Sequence, residues 1–173
     1  AFATNPKFAP SARHFAYTLL VGQDAAAKAR LLPGFLNDKS ADLRRDAIAF
    51  QLEELEKAAK PSPKADLERL FALARDKDQV DLLARKLSDH GARPAVTEHF
   101  GFVTAVALAG PFDGPDGRGY DTRHPPEDAV AAVGTFKGKG DAEVKWVPAT
   151  TTDKYGAFDL NKLVGKHKNA VAY

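Results

Sequence analysis

"LSDHGARPAVTEHFGFVTAVALAG", Leu87 to Gly110, decides how this chain folds. Before Pro94, apolar side chains recur every three or four positions, the spacing that lines one face of a helix. After it they recur every second position, through Phe100, Phe102, Thr104, Val106 and Leu108, as in a half-buried strand. Gly91 suits the position just past a helix end, and Pro94 cannot continue a helix interior. The expected fold is α+β. N-terminal antiparallel helical hairpins over residues 1–94 lead into a partial antiparallel β-sandwich of jelly-roll type over residues 95–173.

Toward the N-terminus the helical spacing predicts five helices with short connections. The first begins at Ser11 and lines up Phe15, Leu19 and Leu20. The second starts on Asp24 and is kinked or ended by Pro33. The third has Ser40 as N-cap and carries Leu43, Ala47, Phe50, Leu52 and Leu55. The fourth follows Ser62 and Pro63 with Leu67, Leu70, Phe71 and Ala74. The fifth starts on Asp78, packs Val80, Leu83 and Leu87, and ends at Gly91. Phe15, Phe35, Phe50 and Phe71 are expected in the core. "DKSADLRRDAIAFQLEEL" is similar to the second half of a HEAT-type repeat, and a small irregular bundle accounts for the spacing equally well.

Toward the C-terminus, strand-like runs fall at "AVAAVGTF" (Ala129–Phe136), "AEVKWVPA" (Ala142–Ala149), "YGAFDL" and the closing "NAVAY". The segments "GPFDGPDGRG", "KGKGD", "TTTDKYG" and "GKHKN" are turn-rich separators. In "AEVKWVPA", Val144 and Trp146 are expected on one side and Lys145 and Val147 on the other. Five strands are too few to close a sandwich. The chain also lacks a Met at position 1 and stops within a strand-like run, so a piece of a longer, N-terminally processed protein is expected.

Several motifs recur in one order: GPFD (Gly110–Asp113), Tyr120, PPE (Pro125–Glu127), Trp146, Tyr155 with Gly156, and DLN (Asp159–Asn161). With "ARDKDQVDLLARKL" ahead of them, they resemble a segment of large secreted proteins of planctomycete-type bacteria. There a helical, often HEAT-like region leads into a galactose-binding-like β-sandwich. The resemblance covers roughly residues 40–173. It departs at Ala105, Val106 and Ala107, where an aromatic residue is expected. It implies a secreted or periplasmic, non-catalytic accessory module that acts in glycan binding or assembly, beside haem or sugar-processing domains.

Composition narrows the chemistry. The 173 residues carry a net charge of +2 with both signs interleaved, so no basic stripe for nucleic acid exists. No apolar run is long enough to span a membrane. The absence of cysteine removes disulfides, thiolate metal sites and a Cys nucleophile. The five histidines show no HExxH spacing, and no GxSxG elbow occurs. "GKGKGD" lacks the phosphate-loop spacing and reads as a hairpin turn.

Two candidate sites remain. Asp113, Asp116 and Asp121, interleaved with glycines, offer oxygens for a structural calcium ion, although a plain turn also uses Asp and Gly. Trp146, Tyr120 and Tyr155, with Asp121, Arg123 and His124 as polar partners, offer a glycan site. The plainer expectation for Trp146 is a place in the sandwich core. The expected partner is a glycan or another protein chain. In the alternative function, the chain is an interaction subunit that docks a protein through its helical face or an open strand edge.

Overall fold

The computed structural model describes residues 2–128 and 133–173, with Tyr120 described by its backbone alone. The chain divides into two compact units, Ala1–His99 and Phe100–Tyr173.

The first unit is helical: α1 (Pro10–Gln23), α2 (Ala26–Leu31) running into a 3-10 turn at Leu32–Phe35, α3 (Ala41–Ala58), α4 (Lys64–Leu73), α5 (Lys77–Asp89) and the short α6 (Val96–Phe100), whose last residue belongs to the second unit. Pro33 ends α2 as anticipated, because its ring excludes the next helical hydrogen bond. Ser40 caps α3, its Oγ accepting the Leu43 amide at 3.4 Å. Four starts differ slightly from expectation. Pro10 opens α1, α2 begins at Ala26 after Ala25 as its cap residue, Pro63 precedes α4 as its cap residue, and Asp76 precedes α5.

The end of α5 is a full Schellman motif. Ala92 N–H donates to Leu87 C=O and Gly91 N–H to Ser88 C=O, with Gly91 at φ +73°. The helices bury Leu43, Ala47, Ile48, Leu67, Leu70, Val80, Leu83 and Leu87 almost completely. Arg45 fastens α3 to the start of α5 with a two-pronged pair to Asp78, at 2.8 and 2.5 Å.

The expected face of α1 is corrected. Arg13 and Tyr17 point inward at 2% and 5% exposure, while Phe15 stands 65% exposed, with Leu19 and Leu20 also exposed. The Arg13 guanidinium causes this. It donates to both carboxylate oxygens of Asp38 and, from Nε, to the Ala3 carbonyl at 2.9 Å. Fully paired, it enters the core beside Tyr17 and Phe35 and turns the Phe15 face outward.

The second unit, among the described residues, holds three two-stranded antiparallel ladders. β1 (Ala105–Leu108) pairs with β5 (Val147–Thr150), β2 (Phe112–Asp113) with β6 (Ala170–Val171), and β3 (Thr135–Lys137) with β4 (Glu143–Lys145). The partial sheet is thus present, in short pieces. The alternating pattern begins five positions later than "HFGFV" suggested, because Phe100 ends α6.

"YGAFDL" is a turn leading into α7 (Leu160–Leu163) rather than a strand. The Asp153 carboxylate there accepts the Tyr155 and Ala157 amides and fixes the turn. Of "AVAAVGTF", residues 129–132 lie outside the described residues, and its end forms the start of β3. "KGKGD" is a tight hairpin turn with Gly140 and Asp141 both at positive φ.

The core of this unit gathers Ala109, Phe112 and Val144, with Phe136, Trp146 and Tyr173 against them. Val144 faces in and Lys145 and Val147 face out, as the alternation required.

Candidate functional site

The loop from Gly110 to Asp128 positions most of the residues singled out above. It enters through Phe112, 1% exposed, then makes three 3-10 turns at Pro115–Gly117, Gly119–Asp121 and Pro125–Asp128. Gly119 lets the loop lie on β6. A Cβ there would stand 2.2 Å from Val171 Cγ2 and 2.7 Å from the Gly114 backbone.

The three carboxylates proposed for calcium do not converge. Asp113 is held by Lys139 Nζ at 2.9 Å, and this hydrogen bond keeps its carboxyl below the ordinary range. Asp121 faces Arg118 at 3.5 Å, and Asp116 occupies a turn position at φ 53°. Among the described residues, no three His, Cys, Asp or Glu side chains are grouped to hold a metal ion.

The glycan candidates are dispersed. His124 is buried, its ring 5.3 Å from Phe112 and 5.7 Å from Tyr173. Trp146 lies half-buried, edge-on to Phe136 at 6.5 Å, with its indole N–H covered and without a hydrogen-bond partner. Tyr155 packs edge-on to Phe102 at 6.3 Å, with the Lys154 ammonium 4.6 Å from its ring centroid. Arg123 is exposed and pairs with Asp128. Asp121 is exposed on the loop, and the Tyr120 side chain lies outside the described residues. Two candidates thus go to the core, two stay on the loop surface, and Tyr155 belongs to another turn.

Glu127 does what the candidates were expected to do: it gathers partners. Its carboxylate accepts the His124 amide at 3.0 Å and the Tyr173 hydroxyl. The Tyr173 bond, then the His124 amide, hold Glu127 below its usual range, while burial and Glu127 push Tyr173 up to about 12. This pair ties the last residue of the chain to the loop, and sequence spacing gives no hint of it.

The helical unit has a groove of about 640 Å³ lined by Glu53, Glu56, Lys57, Lys60, Lys86 and Asp89, among others. Lys57 is paired with Glu53 and Glu54, and Lys86 with Glu56, so most of its charge is neutralised in place. The surface that stands out is apolar. Phe15 and Leu19 lie one helical turn apart on α1 at 65% and 56% exposure, with Leu20 beside them. Among the described residues, no helix is long and apolar enough to cross a membrane. Comparison with protein-family models, curated proteins and solved structures finds no match in any of the three.

Proposed function

We propose that the chain is a non-catalytic accessory module that works in assembly, docking another protein through the outward face of α1. One observation carries this reading: Phe15 and Leu19 form an exposed apolar pair on a helix whose buried face is elsewhere. Single exposed apolar residues are ordinary, but two bulky ones at i and i+4, with Leu20 adjoining, are suited to fit a partner's groove. In this reading, which follows the resemblance to secreted accessory segments, the module works outside the cytoplasm, next to larger domains. The glycan reading has less support, because Trp146 and His124 spend their rings on the core.

The test is a photo-crosslinking residue at Thr18 on α1, used in the source cells, followed by affinity measurement with the partner recovered. The Phe15→Glu/Leu19→Glu variant is expected to weaken that complex at least tenfold, since buried aromatic and aliphatic anchors dominate interfaces. Its thermal midpoint should not fall, because neither side chain is in the core. Undiminished affinity in the variant, or glycan-array binding lost on Trp146→Ala with no crosslinked partner, would overturn the reading in favour of the glycan one.

A further inference from the structure

The dipeptide Asp-Gly occurs twice in the loop from Gly110 to Asp128, at Asp113–Gly114 and at Asp116–Gly117. Chemically the two are the same reactive pair. Glycine puts no side chain beside its nitrogen, so that nitrogen can reach the carboxyl carbon of the preceding aspartate. The fold treats the two in opposite ways.

Asp113 is locked. It lies in β2 opposite Ala170, and its carboxylate accepts a hydrogen bond from Lys139 Nζ at 2.9 Å. The Gly114 amide donates to the Asn169 carbonyl at 2.8 Å. Gly114 is buried, with main-chain atoms of Asn169 and Gly119 3.3 Å from where a Cβ would stand. The nitrogen that would have to attack is thus held by another bond inside a packed segment.

Asp116 is loose. Both it and Gly117 are exposed, and its carboxyl has no hydrogen-bond or charge partner among the described residues. It sits at φ 53° and Gly117 at φ 73°, a left-handed conformation that an L side chain holds only at a cost. Apart from its chain neighbours, nothing stands within 4 Å of a Cβ built on Gly117. Turning ψ of Asp116 away from 27° brings the Gly117 nitrogen toward the carboxyl. Turn bonds oppose this motion, from Gly117 N–H to Gly114 C=O at 3.2 Å and from Arg118 N–H to Pro115 C=O at 2.9 Å. Exposed turns open far more often than paired, packed segments.

We propose that Asp116–Gly117 is a site of spontaneous covalent modification, where aspartate converts to isoaspartate in the folded protein. The Gly117 nitrogen attacks the Asp116 carboxyl carbon. A C–N bond forms, the C–OH bond breaks, and the hydroxyl leaves with the amide proton as water, closing a succinimide ring. Water then adds back at the main-chain carbonyl carbon. Its hydroxyl goes to that carbon, its proton goes to the nitrogen, and the original C–N bond breaks. The chain now runs through the Asp116 Cβ, one methylene longer, and the former main-chain carbonyl is a free carboxylate. Nothing is oxidised or reduced, and water is the sole co-reactant. The inserted methylene falls in the Pro115–Gly117 turn, so the two turn bonds are the ones it displaces. The site does not rest on the α1 reading.

The test incubates the intact 173-residue chain for weeks at physiological temperature and neutral pH, in buffer and in parallel unfolded in urea. Isoaspartate is counted by the methyl groups that a protein-isoaspartate methyltransferase transfers from S-adenosylmethionine. It is located by electron-transfer fragmentation, which tells the two linkages apart. In buffer, isoaspartate should accumulate about tenfold faster at Asp116 than at Asp113, because the ladder holds the other pair closed. In urea the two positions should react at comparable rates, and this comparison within one chain needs no variant to fold. Asp116→Glu should remove the signal from the turn, since the larger ring closes far more slowly, and should leave Asp113 unchanged. Equal rates at the two positions in buffer, or a buffer sample without isoaspartate at Asp116, would overturn the proposal. An Asp113 that stays as slow in urea as in buffer would overturn it as well, since the fold would then not be what separates the two.

Discussion

At Arg13 and Asp38, a pair of opposite charges sits inside a helical core. Burial alone would raise the Asp38 carboxyl. Hydrogen bonds from Arg13 and the Ser40 amide, with the charges of Arg13 and Arg44, outweigh it and hold the carboxyl below its ordinary value. Removing one partner leaves the other buried without compensation, so Arg13→Met should cost the helical unit about 3–5 kcal/mol. The double variant Arg13→Met/Asp38→Leu should recover much of that loss. The sign of the pH effect follows from the lowered carboxyl: the pair's contribution is complete above the ordinary aspartate range, near pH 4, and disappears as pH falls through the lower folded value. Urea titrations of wild type and the single Arg13→Met variant below pH 4 should therefore converge. Persistent separation of the two curves down to pH 2 would show that Asp38 is not the group responsible. This pair was illegible in the sequence, because a helical pattern counts every Arg as outward and cannot see the Asp that neutralises it.

The elements were legible to different degrees, for reasons that trace to particular residues. In α3 and α5 the apolar stripe alone determines the buried face, and Leu43, Ala47, Val80, Leu83 and Leu87 all lie inside. In α1 two apolar faces compete, and a distant charge chooses between them. The strand pattern of the second unit located β1, β4 and β6, but not their lengths. Glycines and 3-10 turns interrupt the ladders, and no periodicity foretells a close approach such as that of Gly119 to β6. That approach is testable. In Gly119→Ala the new methyl meets Val171 Cγ2, which can rotate away, and the Gly114 backbone, which cannot. Overpacking of this kind costs about 1–3 kcal/mol, drawn from the β2–β6 pairing. Amide exchange at Val171 should accelerate accordingly while that of the α5 amides stays unchanged. Equal acceleration in both would mean that the two segments open together. The candidate site was less legible than the fold, since Trp and His attract attention as ligands whereas the structure uses both as packing.

At the scale of the whole molecule, the two units hold cores of unequal depth. The helical one buries many large aliphatic side chains below 3% exposure. The β unit completely buries Phe112 and Ala109, nearly so Val144, and depends for the rest on half-buried aromatics. Apolar burial contributes about 25 cal/mol per Å², so the β unit has the smaller reserve against its chain entropy. Two probes separate the units cleanly. The chain's one tryptophan, Trp146, belongs to the β core, whereas far-ultraviolet circular dichroism is dominated by the helices of the first unit. Unfolding in urea should then show a Trp146 fluorescence transition about 1 M below the dichroism transition, each with a slope suited to a small domain. A stabilising change confined to one unit should move only its own transition. Coincident midpoints and slopes from both probes would instead establish one cooperative unit, and would require that the shallow β core be held up by something other than its own side chains.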